Sequence, residues 1–176
     1  MSSVETIANA LDRAANLVAA KPSRGQRIYK SVAVVEDGVA CRVEEKSHVL
    51  LADLPPSMGG EDRGPSPSVL LRAALSSCVA MGIKMWASRR CVVVNRVEVS
   101  VETNVDARGQ LGVADSVTPG FEVIQIHIEV DADADAAVLR DIVETSLRYS
   151  PLMAALDSAQ PITTSLNFSR RSKEGT

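Results

Sequence analysis

The chain has 176 residues, 45% of them hydrophobic and 23% charged, which excludes a disordered or low-complexity protein and leaves room for one globular domain with a sizeable core. Aromatic residues make up only 3% and the formal net charge is -3, so the chain lacks both the stacking platforms and the positive field that would draw it to nucleic acid or to an anionic membrane. Its cysteines, Cys41, Cys78 and Cys91, are odd in number and show no CxxC spacing, which argues against a secreted disulfide framework and suits reduced thiols in a cytoplasmic protein.

The N-terminus carries Glu5, Asn9 and Asp12 where a signal peptide would be apolar. Ser2 with Glu5 fits a capping box, and Val4, Ile7, Ala8, Leu11, Ala15 and Val18 recur at helical spacing, predicting an amphipathic helix over about 3–20 that Lys21-Pro22-Ser23 ends. From Ile28 the sequence "IYKSVAVVEDGVACRVEE" reads as a hairpin turning at Asp37-Gly38, and "HVLLADLPP" adds a short strand before a loop rich in Pro and Gly. Ser66-Pro67 then supplies an N-cap and a proline at the first helical position. The helix it opens, about 67–89, is apolar on nearly every face, the mark of a central helix, and Arg72 and Lys84 bracket its apolar middle.

Val97, Val99 and Val101 alternate with polar residues over 92–103, and Ile124, Ile126, Ile128 and Val130 repeat the pattern in "FEVIQIHIEVD". These two half-buried strands should pair antiparallel with their apolar faces toward the helices. "DADAAVLRDIVETSLRY" follows as an amphipathic helix with Leu139, Ile142, Val143, Ser146 and Leu147 inward, then "SPLMAAL" as a short helix and "ITTSLNFS" as a closing edge strand. The order predicts an α+β fold, a two-layer domain with a largely antiparallel sheet packed on a long buried central helix.

Familiar catalytic motifs are missing: there is no Walker loop, no GxGxxG and no GxSxG. His48 and His127, in no HxH or HxxxH pair, read as surface histidines, and no metal or cofactor is expected. The acidic run at 131–135 lacks the glycine and distal glutamate of a calcium loop and reads as helix-start charge. Met81, Met85 and Trp86 read as core or as the wall of an apolar pocket.

Gly59, Gly60, Gly64, Pro65, Ser66 and Pro67 running into an apolar helix with Leu71, Ala73, Ala74, Leu75, Ser77 and Cys78 resemble the OsmC/Ohr superfamily of osmotically inducible and organic hydroperoxide resistance proteins. The resemblance extends from about Ile28 to Phe168, and divides the chain into an N-terminal helical extension, 1–22, and an OsmC-like domain, 23–176. It implies an intertwined homodimer in which each site lies at the interface. Active members attack an organic hydroperoxide with one cysteine, resolve the sulfenic acid with a second, and are restored by a thiol or dithiol. On that pattern Cys78 is the catalytic, peroxidatic cysteine.

Two positions depart from the family. Ser150 precedes Pro151 where a resolving cysteine would stand, and Ser68, ten residues before Cys78, replaces the glutamate that orients an active-site arginine. Serine can cap the short helix, but no disulfide can form there. Arg42 and Arg63 are the nearest arginine candidates. Cys91, thirteen residues beyond Cys78, would lie roughly 20 Å away at helical rise and cannot resolve it within one chain, whereas Cys41 stays open beside its reading as a small strand residue.

Two functions follow as expectations. The first is a thiol peroxidase using Cys78 on a small hydrophobic peroxide, in a one-cysteine cycle with an external thiol or dithiol reductant. The alternative is a dimer of the same fold that binds a small hydrophobic ligand, with Cys78 structural or redox-sensing. Neither needs nucleic acid or a membrane as partner.

Overall fold

The computed structural model describes residues 3–168. Its elements are α1 (Val4–Ala20), β1 (Val32–Val35), β2 (Cys41–Glu45), β3 (His48–Ala52), α2 (Pro67–Arg89), β4 (Val94–Val105), α3 (Ala107–Gln110), β5 (Phe121–Ala132), α4 (Ala136–Arg148) and α5 (Pro151–Asp157). Helices and antiparallel strands combine in the α+β manner expected.

Alternation in β4 and β5 produces the sheet that carries the core. They pair antiparallel with Val97 opposite Val130, Val99 opposite Ile128 and Val101 opposite Ile126, so one face of the ribbon is apolar. Onto it α2 lays Leu75, Val79, Ile83 and Ala87, a stripe at four-residue spacing that is fully buried with Val94 of β4 and Ile142 of α4. Each of the larger side chains contributes about 2 kcal/mol by leaving water. Pro67 starts α2 as expected, although the Ser66 side chain makes no capping hydrogen bond.

The opposite side of α2 is a different matter. Its sequence has the length and composition of a membrane span, yet one side is packed on the sheet and on α4, while Val69, Met81 and Met85 are exposed at 42%, 60% and 40%. The helix expected to be buried all round is therefore buried on one side within a single chain. α1 lies along part of α2, with Asp12 bonded to Arg89 at 2.9 Å.

β1, β2 and β3 form a separate antiparallel sheet in that order. Its turn falls at Asp37-Gly38 as predicted, with Gly38 in the left-handed region at φ 68°. The strands pair with one another and make no substantial contact with the helices or with β4 and β5, leaving Val32, Val34, Val35, Val49, Leu50 and Leu51 exposed. The loop after β3 is organised by Asp53, a buried carboxylate that accepts from the amides of Leu54 at 2.8 Å, Glu61 at 3.2 Å and Arg63 at 3.1 Å. These bonds, the one from Arg63 foremost, hold its carboxyl below the usual carboxylate range against the opposing effect of burial. A Cβ on Gly60 would sit 1.9 Å from the Leu54 oxygen, and one on Gly64 2.2 Å from the Leu51 oxygen. Gly60 and Gly64 of the motif thus stand where backbone meets backbone.

Two expectations need correction. Ser3, not Ser2, caps α1, accepting from the Thr6 amide at 3.1 Å; Ser2 lies outside the described residues. The closing strand expected over 162–169 is not formed over 162–168, and Ser169 lies outside the described residues. A strand needs an edge to pair with, and the segment after α5 meets none, leaving Ile162, Leu166 and Phe168 exposed at 90%, 72% and 88%.

Candidate active site

Cys78 lies on the flank of α2, next to the buried stripe and half buried. The junction of α4 and α5 faces it, and the Ser150 hydroxyl oxygen lies 3.3 Å from its sulfur. Both atoms border a cavity of about 460 Å³ whose remaining wall is mostly apolar, with Ala74, Met81, Met85, Trp86 and Leu152 among its residues. No charged side chain belongs to that wall.

Local sequence sets each piece. Ser150 has extended backbone at φ -77° and ψ 120° and caps α5, accepting from the Met153 amide at 3.3 Å, while Pro151 takes the first helical position. Ser150 is 4% exposed, so its side chain has no room to turn toward bulk water. Gly82, one turn beyond Cys78, lets α4 come close: a Cβ there would lie 2.5 Å from the Ser146 hydroxyl oxygen. At the far end Trp86 stacks on Tyr149 with ring centroids 5.2 Å apart, and the Arg89 guanidinium lies 5.1 Å from the Trp86 centroid on the outside.

The arrangement presents one thiol to an apolar, open-sided space. A thiolate is the nucleophilic form of cysteine, and a cavity of this kind accepts a small hydrophobic molecule. Chemistry that ends in a disulfide within the chain has no partner at the sulfur: Cys41, Cys78 and Cys91 are all free, and the atom touching Cys78 is an alcohol oxygen.

Other candidates fall elsewhere. Ser68 lies in the first turn of α2 and does not line the cavity. Arg42 pairs with Glu44, and Arg63 with Glu61 at 3.1 Å and Asp53 at 3.6 Å; both border a hollow on the N-terminal sheet and neither lines the Cys78 cavity. Cys41 is half buried on β2 opposite Ala52, and Cys91 is exposed just past α2 at φ 56°. His48 and His127 are exposed, and no cluster of metal-ligating residues occurs among the described residues. Met81, Met85 and Trp86 prove to be cavity wall. Tyr149 and Ser146 were not singled out for that role by the sequence; the glycine interrupting an apolar helix at position 82 was the available signal for a close helix crossing.

The model of the family described as OsmC-like protein matches residues 59–165. No curated protein matches the sequence. Among solved structures, an OsmC-like protein from Mycoplasma pneumoniae is similar with a TM-score of 0.64 at 15% identity, over 76% of this chain and 90% of that one. An organic hydroperoxide resistance protein OsmC from Legionella pneumophila is similar with a TM-score of 0.55 at 19% identity, over 74% and 91%. An organic hydroperoxide resistance protein from Elizabethkingia anophelis gives 0.54 at 13% identity, over 76% and 91%.

Proposed function

The chain belongs to the OsmC-like protein family, and we propose that it is a cytoplasmic thiol peroxidase that reduces organic hydroperoxides through Cys78. The observation that carries this reading is the Cys78 sulfur bordering an apolar cavity open to solvent. The names of the Legionella and Elizabethkingia structures point the same way.

In the proposed reaction the Cys78 thiolate attacks the outer oxygen of the hydroperoxide. A sulfur–oxygen bond forms, the oxygen–oxygen bond breaks, and the electron pair leaves on the alkoxide, which takes a proton to become the alcohol. Cys78 is then a sulfenic acid. With Ser150 as its neighbour, an external thiol must condense with it, releasing water and leaving a mixed disulfide. A second thiol attacks that disulfide, frees Cys78 and departs as the oxidised reductant. One hydroperoxide and two thiols thus give one alcohol, one water and one disulfide.

The proposed working form is a homodimer. A compact monomer of 18.7 kDa exposes about 8,300 Å² by the usual scaling of surface with mass, whereas this chain exposes 13,728 Å². Apolar residues on the N-terminal sheet, on the outer side of α2 and along 159–168 contribute to that excess, and a second copy would cover them. α1 belongs to the N-terminal extension, 1–22, proposed as an addition to the 23–176 domain. A second reading, favoured by the uncharged wall of the cavity, is a dimer that binds a small hydrophobic ligand with Cys78 as a structural or redox-sensing bystander.

Turnover separates them. Purified protein is mixed with cumene hydroperoxide and either dihydrolipoamide or a monothiol, with Cys78→Ser as control. The peroxidase reading predicts consumption that the substitution reduces at least a hundredfold; equal rates in the two proteins would sink it.

A further inference from the structure

Ser150 caps α5 with a lone pair, accepting from the Met153 amide at 3.3 Å, and that use leaves its hydroxyl hydrogen free. The neighbour in reach is the Cys78 sulfur at 3.3 Å, well inside the range of a hydrogen bond to sulfur. The hydroxyl is buried at 4% exposure, and the Ser150 backbone is fixed at both ends, its amide bonded to Leu147 at 3.3 Å and its carbonyl to the Ala154 amide at 3.0 Å. A thiolate has no hydrogen to give. When Cys78 is ionised, the bond can only run from oxygen to sulfur.

We infer that Ser150 is a positioning residue for Cys78, its hydroxyl donating a hydrogen bond that holds the sulfur in place at the wall of the cavity. The cap fixes which way the hydroxyl points: one position serves α5 through its acceptor and Cys78 through its donor. The inference concerns the same site as the proposed peroxidase but needs only that Cys78 react as a nucleophile, so it can stand or fall apart from hydroperoxide turnover.

The test is the rate at which iodoacetamide alkylates Cys78 at neutral pH, followed by mass spectrometry of its peptide, in the native protein and in Ser150→Gly, Ser150→Ala and Ser150→Thr. Glycine is nearly as good a cap as serine, so Ser150→Gly removes the donor while sparing the helix start. Threonine keeps both functions. Alkylation should slow about fivefold in the Gly and Ala variants and stay within about twofold of native in the Thr variant, the size expected of losing one net hydrogen bond that orients the sulfur. Exposed Cys91 is the internal reference, and its rate should not change. If the Gly variant fails to fold, the Ala variant reads the same contrast. Native rates at Cys78 in the variants lacking the hydroxyl, or a Thr variant as slow as they are, would overturn the inference.

Discussion

Gly82 and Ser146 meet where α2 crosses α4, beside the cavity that holds Cys78. The Ser146 hydroxyl is buried and donates to the Val79 carbonyl at 3.4 Å, and a methyl group on residue 82 would arrive 2.5 Å from its oxygen. Gly82→Ala should therefore destabilise the fold by about 1–3 kcal/mol through overpacking, despite the better helix propensity of alanine. In a Ser146→Ala background the obstructing atom is gone and the nearest remaining side-chain atom is 3.7 Å away, so the same change should be neutral or stabilising. Chemical denaturation of the four proteins gives the coupling directly, and an equal cost in both backgrounds would contradict this reading of the crossing. At the same scale, Cys78 and Ser150 could each be singled out from sequence through the family resemblance. Their contact could not, because they stand 72 positions apart and a hydrogen bond follows from how two helices cross.

Among the elements, α2 was the most legible in its bounds and the least legible in its faces. Ser66-Pro67 marks its start and Arg89-Arg90 its end, and it runs over Pro67–Arg89 as expected. A helix apolar all round gives no preferred side, so the sequence could not tell which residues meet the sheet and which await something else. Leu75, Val79, Ile83 and Ala87 meet it; Met81 and Met85 do not. β4 and β5 were legible in their faces because period-two alternation names the inward side outright. If the outer side of α2 is the seat of a second copy, light scattering at micromolar concentration should return twice the 18.7 kDa chain mass, and Met81→Lys should weaken association at least tenfold by burying an unpaired charge. A monomeric mass for the native protein would contradict the dimer.

Over the whole molecule, two bodies of structure are joined by the Asp53 loop: a helix-backed ribbon with a packed core, and a three-stranded sheet with apolar residues facing solvent. β1, β2 and β3 fall in the segments where strands are expected, since strand-forming residues and the Asp37-Gly38 turn are local signals. The segment over 162–168 shows the limit of such signals. Its residues favour a strand, but pairing is decided by whether an edge is in reach, and over the described residues 162–168 this segment pairs with none. The same limit governs the site: the residues that meet around the Cys78 cavity come from α2, α4 and α5, and no local signal places them together.

The proposed reaction of Cys78 with an organic hydroperoxide can be observed without knowing the reductant. Reduced protein is treated with one equivalent of cumene hydroperoxide in the presence of dimedone, and each cysteine peptide is examined by mass spectrometry. A dimedone adduct is expected on Cys78, with little on Cys41 or Cys91, and none at position 78 in Cys78→Ser. An unmodified Cys78 in folded protein, or adducts spread equally over the three cysteines, would contradict it.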